Sequence, residues 1–347
     1  MKWLQKILMT VTLLTAPLCL AGFTTGFNQA WTHDDYGRQW IERFDGPSWQ
    51  RILRLTRLAE GKILRVWLFE GHNWEGIQFD ERGAITGLDP VKIQNIKTVL
   101  AMARQEGVQI YFTLFDGNVP YFMSDDDYHR RSEERYRKLF SNREGFQDQF
   151  LENVLKPLLD NIVPEYRNSI YAIDVVNELN ATVTKDWFSE GWQGANEFMK
   201  RTRMAVRSRT DIPLTASFGH FSAIQDLMSR ELDFSTVDFF DVHLYDDRGN
   251  IPHCSSLSKF IARSNKSLIL GEFGQFNPFF SDTTQSMVVK SRILNSDQCG
   301  FSAVLAWRLE EKKDGEKRFS FLNENGEPRP AFWVFRDMTL RKQKAAP

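Results

Sequence analysis

Short apolar and β-branched runs recur along the chain at 23–28, 62–68, 108–114, 170–176, 213–217, 238–244, 268–272 and 302–307. Between them lie segments whose apolar residues return at helical spacing. The runs KILRVWLF, VQIYFTLF and SIYAIDVV are nearly continuous in apolar residues rather than alternating, as strands covered on both faces must be. Helices are predicted over 47–59, 90–106, 143–166, 192–209, 221–229, 255–263, 282–297 and 328–339. The signal is sharpest at 90–106, where Asp89 and Pro90 supply a start and Gly107 an end. Strand followed by helix, eight times over, predicts an α/β fold with a parallel sheet closed into a (β/α)8 TIM barrel. An open doubly wound sheet is the rival architecture. It usually carries a glycine-rich phosphate loop after an early strand, and neither GxGxxG nor GxxxxGK[ST] occurs. The stretches 69–89, 115–142 and 179–191 read as long loops.

The first 21 residues change the picture at the N-terminus. Lys2 and Lys6 precede an apolar stretch from Ile7 to Leu20 that ends in small residues, the pattern of a secretory signal peptide cleaved near Ala21. Residues 22–340 are then expected to form one barrel domain, and the basic 341–347 a frayed tail. No later stretch is long and apolar enough for a membrane span, so the mature protein is expected to be secreted or periplasmic, and monomeric. Lys and Arg number 44 against 45 Asp and Glu, which leaves no basic field for nucleic acid and suits an uncharged partner such as a polysaccharide or oligosaccharide. Cys254 and Cys299 would remain after cleavage. The predicted elements set them at opposite ends of the barrel, so they are expected to be small buried thiols rather than a disulfide.

In such barrels the chemistry sits at the C-terminal ends of the strands. The fourth strand runs into Asn177-Glu178 and the seventh into Glu272, on opposite sides of an eight-stranded ring. Two carboxylates facing each other across a cleft are what glycosidic-bond hydrolysis requires, one protonated for the leaving oxygen and one ionised at the anomeric carbon. An Arg within an apolar strand, Arg65 in LRVW, would hold one carboxylate ionised. His243 and Tyr245 end DVHLY, and Trp307 ends VLAW, where an aromatic face could meet the C–H face of a sugar.

These residues together resemble the retaining glycoside hydrolases of the (β/α)8-barrel clan, most of all family 5, the cellulase and mannanase family. The resemblance implies Glu178 as acid/base, Glu272 as nucleophile, and Asn177 as a ligand of the sugar 2-hydroxyl. It further implies Arg65 and Tyr245 as supports of Glu272, His243 near the acid/base, and Trp307 as the floor of the central sugar site. It implies hydrolysis of β-glycosidic bonds of β-glucan or β-mannan type in two displacement steps, without cofactor or metal. The chain departs from many family members after strand three, where it reads TLFDGN and offers Asp116 and Asn118 in place of a His. Trp31, His33, His72, Asn73, Trp74 and His220 are further candidate sugar contacts from their loop positions. A transglycosylase using the same intermediate and a non-catalytic sugar-binding barrel remain the alternatives.

Overall fold

The structure, a computed structural model, describes residues 23–32, 37–69, 74–118, 127–184, 188, 190–245, 249–275, 281–311 and 319–345. The expected leader and its cleavage point lie outside them. Eleven strands are described: β1 Thr24–Asn28, β2 Ile63–Trp67, β3 Ile77–Phe79, β4 Ile85–Leu88, β5 Gln109–Asp116, β6 Ile170–Asn177, β7 Leu214–Thr215, β8 Ser217–Phe218, β9 Phe240–Leu244, β10 Leu268–Phe273 and β11 Ala303–Ala306. All but β3 and β4 join one sheet in the order β7-β6-β5-β2-β1-β11-β10-β9-β8, every pair parallel. β7 and β8 are separated by Ala216 alone, so one interrupted strand bonds to β6 at its start and β9 at its end. The ring closes through it, and the expected (β/α)8 barrel is present.

The helices are α1 Gly46–Leu58, α2 Pro90–Glu106, α3 Asp127–Phe140, α4 Phe146–Phe150, α5 Lys156–Tyr166, α6 Leu179–Thr184, α7 Trp192–Arg207, α8 Ala223–Ser229, α9 Cys254–Ser264, α10 Asp282–Gln298 and α11 Pro330–Ala345. Local chemistry sets several of their ends. The Asp45 and Asp89 carboxylates accept from Ser48 and Val91 backbone N–H at the starts of α1 and α2, and Gly107 closes α2 at φ 66°. α4 and α5 are joined by a π-helical turn over Leu151–Leu155, so the single helix read at 143–166 is nearly continuous.

Three elements depart from the expected loops. The antiparallel pair β3–β4 occupies part of 69–89, α6 follows Glu178 directly, and α3 lies within 115–142. Eight of the fourteen α3 residues are charged, which hides its apolar face of Tyr136, Leu139 and Phe140. The C-terminal expectation also needs correcting. α11 continues to Ala345 through the segment expected to fray, where Lys342 pairs with Asp297 of α10 and basic side chains complement the helix dipole.

The expectation of free thiols is overturned: Cys254 and Cys299 form a disulfide with Cα atoms 5.2 Å apart. After β9 the chain runs down the outside of α10 instead of turning at once into a helix. Gly249 C=O accepts from Asn295 Nδ2 at 2.9 Å and Asn250 C=O accepts from Arg292. The start of α9 thereby arrives beside the end of α10. Closing this loop should restrict the unfolded chain, so Cys254→Ser is expected to cost about 2–4 kcal/mol in chemical denaturation, with reductant reproducing the loss in the parent protein.

Inside the barrel the side chains change character from bottom to top. Ile63, Tyr111, Tyr171, Ala172, Phe239, Ile269, Ala303 and Leu305 form a separate apolar plug at the lower end. Two residues further along β2, β6 and β9 come Arg65, Asp174 and Asp241, all fully buried. One more step along β9 and β11 brings His243 and Trp307. The period of two that aligns a strand's face thus stacks packing below and chemistry above.

Candidate active site

Arg65 is the centre of the upper layer. Its Nη1 donates to Glu272 Oε1 at 2.5 Å and Asn28 Oδ1 at 3.1 Å, and its Nη2 to Asp174 Oδ2 at 2.6 Å and Asn177 Oδ1 at 2.8 Å. Burial works against its charge, but Asp174 and Glu272 outweigh that and raise its pKa. A wholly buried guanidinium is tolerable because carboxylates and amides accept from both of its Nη groups, leaving only Nε without a partner among the described residues. Tyr245 donates from its hydroxyl to Glu272 Oε2 at 2.7 Å, and its own pKa stands well above the usual value, through burial first and the Glu272 charge second. Both oxygens of Glu272 are therefore held.

Glu272 owes its position to an irregularity in β10. Between Leu270 and Glu272 the strand advances two residues while β9 advances one, from Val242 to His243. This bulge at Gly271 shifts Glu272 out of the frame set by Ile269. The backbone groups of Gly271 are satisfied by side chains: its N–H donates to Asp241 Oδ1 at 2.8 Å and its C=O accepts from Asn28 Nδ2 at 2.8 Å. A methyl on Gly271 would overlap the Asp241 carboxylate. Asp241 also accepts from Tyr111 hydroxyl at 2.7 Å, and burial raises its pKa to about 6.

Glu178 stands at the end of β6 with φ 54°, a left-handed conformation that a side chain adopts at a cost of about 1–3 kcal/mol. Its N–H donates to Ser217 Oγ at 2.9 Å, and Gly117 N–H donates to the preceding carbonyl of Asn177 at 2.7 Å. The Glu178 carboxylate accepts from Asn118 Nδ2 at 2.5 Å through Oε2, and its Oε1 lies 3.0 Å from His243 Nδ1. His220 Nε2 is 3.3 Å from Oε2 and 2.9 Å from Asn118 Oδ1. Burial pushes the Glu178 carboxyl up, but His243, by hydrogen bond and charge, and then His220 and Asn118 bring it down to about 2. Burial lowers the His243 imidazole, while Glu272, Glu178 and Asp241 together raise it above the usual value. The imidazole faces the Glu178 carboxylate through Nδ1. Its Nε2 faces Asp241 Oδ1 at 3.8 Å.

Asp116 links the two halves. Its Oδ1 accepts from Asn177 Nδ2 at 2.9 Å and from the Asn118 backbone N–H at 3.0 Å, which ties the Asn177 side chain to the loop that carries Asn118. Burial raises its pKa to about 7 despite those bonds. One N–H of Asn177 is left over for a sugar hydroxyl. Glu178, His243 and Glu272 each offer a ligand atom within 4.8 Å of the others, a donor set that by count could hold a cation. The contact between His243 and Glu178 and the bond from Arg65 to Glu272 already engage those atoms.

Trp307 lies beside Trp31 and Trp67, with ring centroids 6.0, 5.9 and 5.2 Å apart pairwise, above the ends of β11, β1 and β2. The Arg308 guanidinium stands 5.0 Å over the Trp31 ring, and the Trp307–Arg308 peptide is cis.

The structure thus brings Arg65, Asp116, Asn118, Asn177, Glu178, His220, His243, Tyr245 and Glu272 into one hydrogen-bonded group, with Trp31 and Trp307 at its edge. His33, His72 and Asn73 lie outside the described residues. Trp74 does not reach the site: it is buried among Phe115, Tyr136 and Phe146 in the outer core. Sequence reasoning passed over Asn28, Trp67, Asp174, Ser217 and Asp241. A signal existed for the two aspartates, since a charge inside an apolar strand run needs a buried partner.

No family model matches the chain. It is 23% identical over 295 residues to the mannan endo-1,4-beta-mannosidase of Mytilus edulis, covering 73% of this chain and 76% of that protein. The solved β-mannanase of the same mussel superposes with a TM-score of 0.66 at 18% identity, covering 91% of each chain. GH5_18 from Streptomyces cattleya, solved in complex with GlcNAc, superposes with a TM-score of 0.66 at 14% identity over 94% of this chain and 82% of that one. Among the described residues no helix is long and apolar enough to cross a membrane. Motifs, curated relative and fold agree on one resemblance: this chain is like the (β/α)8-barrel glycoside hydrolases of family 5, glycosidases that hydrolyse O-glycosyl bonds.

Proposed function

We propose that this chain hydrolyses β-1,4-linked mannan with retention of configuration, after export by its N-terminal leader. The observation that carries the retaining mechanism is the approach of the two carboxylates, with oxygens of Glu178 and Glu272 within 4.8 Å of each other. Retaining glycosidases hold their carboxyl groups about 5–5.5 Å apart, whereas inverting ones leave room for a water between them. The substrate follows from the mussel mannanase, the relative similar in sequence over most of the chain.

In the first step a Glu272 oxygen attacks the anomeric carbon. Arg65 and Tyr245 each hold one oxygen of that carboxylate and so orient it. The bond to the leaving oxygen breaks as a protonated Glu178 carboxyl, hydrogen-bonded to His243, gives its proton to that oxygen. Charge thus develops on the leaving group where a proton is ready. In the second step Glu178 takes a proton from water, the hydroxide adds to the anomeric carbon, and the bond to Glu272 breaks. A barrel that only bound sugar would gain nothing from a guanidinium and a phenol both aimed at one carboxylate.

The test is incubation of the protein with linear β-1,4-mannan, glucomannan and cellulose, with product sizing and proton NMR of the first-formed anomer. Mannan fragments carrying the β-anomer are expected. An α-anomer formed first, or no product from mannan, overturns the reading.

A further inference from the structure

Among the described residues Phe221 is the most exposed large apolar side chain, 102% exposed where the next, Met204, is 66%. Its backbone is nonetheless tied down. The Asn180 amide of α6 brackets Gly219, accepting from its N–H and donating to its C=O at 3.0 Å each. Asn180 Nδ2 and Ser222 Oγ both donate to Asp226 Oδ2 at 2.7 Å, and Ala223 N–H donates to the His220 carbonyl at 3.2 Å. A bare ring on a pinned loop is a preformed contact surface, because binding to it costs little ordering.

Its place in the chain sets Phe221 next to a residue that contacts Glu178. Residue 220 touches Glu178 Oε2 and Asn118, so Phe221 follows the group that lines the outer side of the acid/base carboxylate. The strand that carries it, β7–β8, lies across the ring from β1, where Trp31 joins Trp67 and Trp307. A proton donor must stand on the side of the departing oxygen. The sugar that leaves therefore lies toward Phe221, and the sugar that becomes bonded to the enzyme lies toward the tryptophans.

We propose that Phe221 forms the binding surface for a β-linked pyranose on the leaving-group side of the cleaved bond, its ring meeting the C–H face of that sugar. The bound polysaccharide then runs with its non-reducing end over the Trp31–Trp67–Trp307 group and its reducing end over the 219–223 loop. This inference rests on the mannan-cleaving reading above.

The experiment compares kcat/KM on mannopentaose with kcat/KM on β-mannobiosyl fluoride, whose leaving group is one atom and reaches no side chain beyond the acid/base. In Phe221→Ala the ratio of the two is expected to fall by about tenfold, and Phe221→Trp should return it to within about twofold of the parent. Transfer to added mannobiose should fall with the ratio in the Ala variant. An unchanged ratio in Phe221→Ala, or a Trp variant no better than Ala, overturns the assignment while leaving the mannanase reading intact. A parent protein that cleaves the fluoride but no mannooligosaccharide defeats the substrate reading and this inference with it.

Discussion

Glu272→Gln is expected to lower kcat on β-mannan by at least about 10⁴-fold, and Glu178→Gln by roughly 10²–10⁴-fold. The inequality follows from what each carboxylate does. An amide at 272 keeps the shape and the bond to Tyr245 but cannot form the glycosyl bond, so the first step is lost whatever the leaving group. An amide at 178 removes only the proton source, a loss that weighs less when the leaving group is already a stable anion such as dinitrophenolate. Azide separates the roles by stereochemistry. With Glu178→Ala, azide should attack the accumulated glycosyl-enzyme and give a β-azide; with Glu272→Ala, it can only displace the leaving group directly and give an α-azide. The reverse pattern would exchange the two assignments, and near-normal activity in both Gln variants would remove them altogether.

The second large effect is expected at a glycine packed directly against the Glu178 carboxylate. A methyl on Gly219 would overlap the Cδ and Oε1 atoms of Glu178, so the two side chains cannot share the space. Gly219 cannot retreat, because Asn180 holds its N–H and C=O. The Glu178 carboxylate must then move by an ångström or more, away from its contact with His243 Nδ1. Displacement on that scale costs on the order of 10² in rate. Gly219→Ala should therefore fold, as read by circular dichroism, and lose about that factor in kcat. Activity within threefold of the parent would mean that the carboxylate is not confined by the 219–223 loop. Gly117 is under the same restriction from the other side, where a methyl would overlap the carbonyl oxygens of Asn177 and Glu178. Two glycines, from the loops after β5 and β8, thus leave space for the backbone and the carboxylate of Glu178.

Several site residues could be found without the structure because the signal was local. Glu178 and Glu272 each end an apolar run, and Arg65 sits in the middle of one. Their partners could not be found that way. Arg65 bonds to residues 109 and 207 positions away, and which oxygen each nitrogen meets depends on how far the strands are staggered on closing the ring. Asp174 and Asp241 carry the same anomaly as Arg65, a charge in an apolar strand, yet nothing along the chain said that one would hold the guanidinium and the other a bulged backbone.

The cysteines show the limit from the other direction. Placing Cys254 by counting elements assumed that a helix starts where its strand ends; the chain instead descends along α10 before α9 begins, and the two sulfur atoms meet. The route of a loop is set by what it packs against, which no local pattern records.

By itself the sequence determined the alternation of strand and helix, the closure number, and the two glutamates at the strand ends, since these follow from burial and periodicity among chain neighbours. The tertiary structure alone decided the bulge that aims Glu272, the glycine walls around Glu178, its contact with His243, the disulfide, and the bare ring of Phe221 next to His220. Each of those depends on atoms brought together across the barrel, where distance along the chain carries no information.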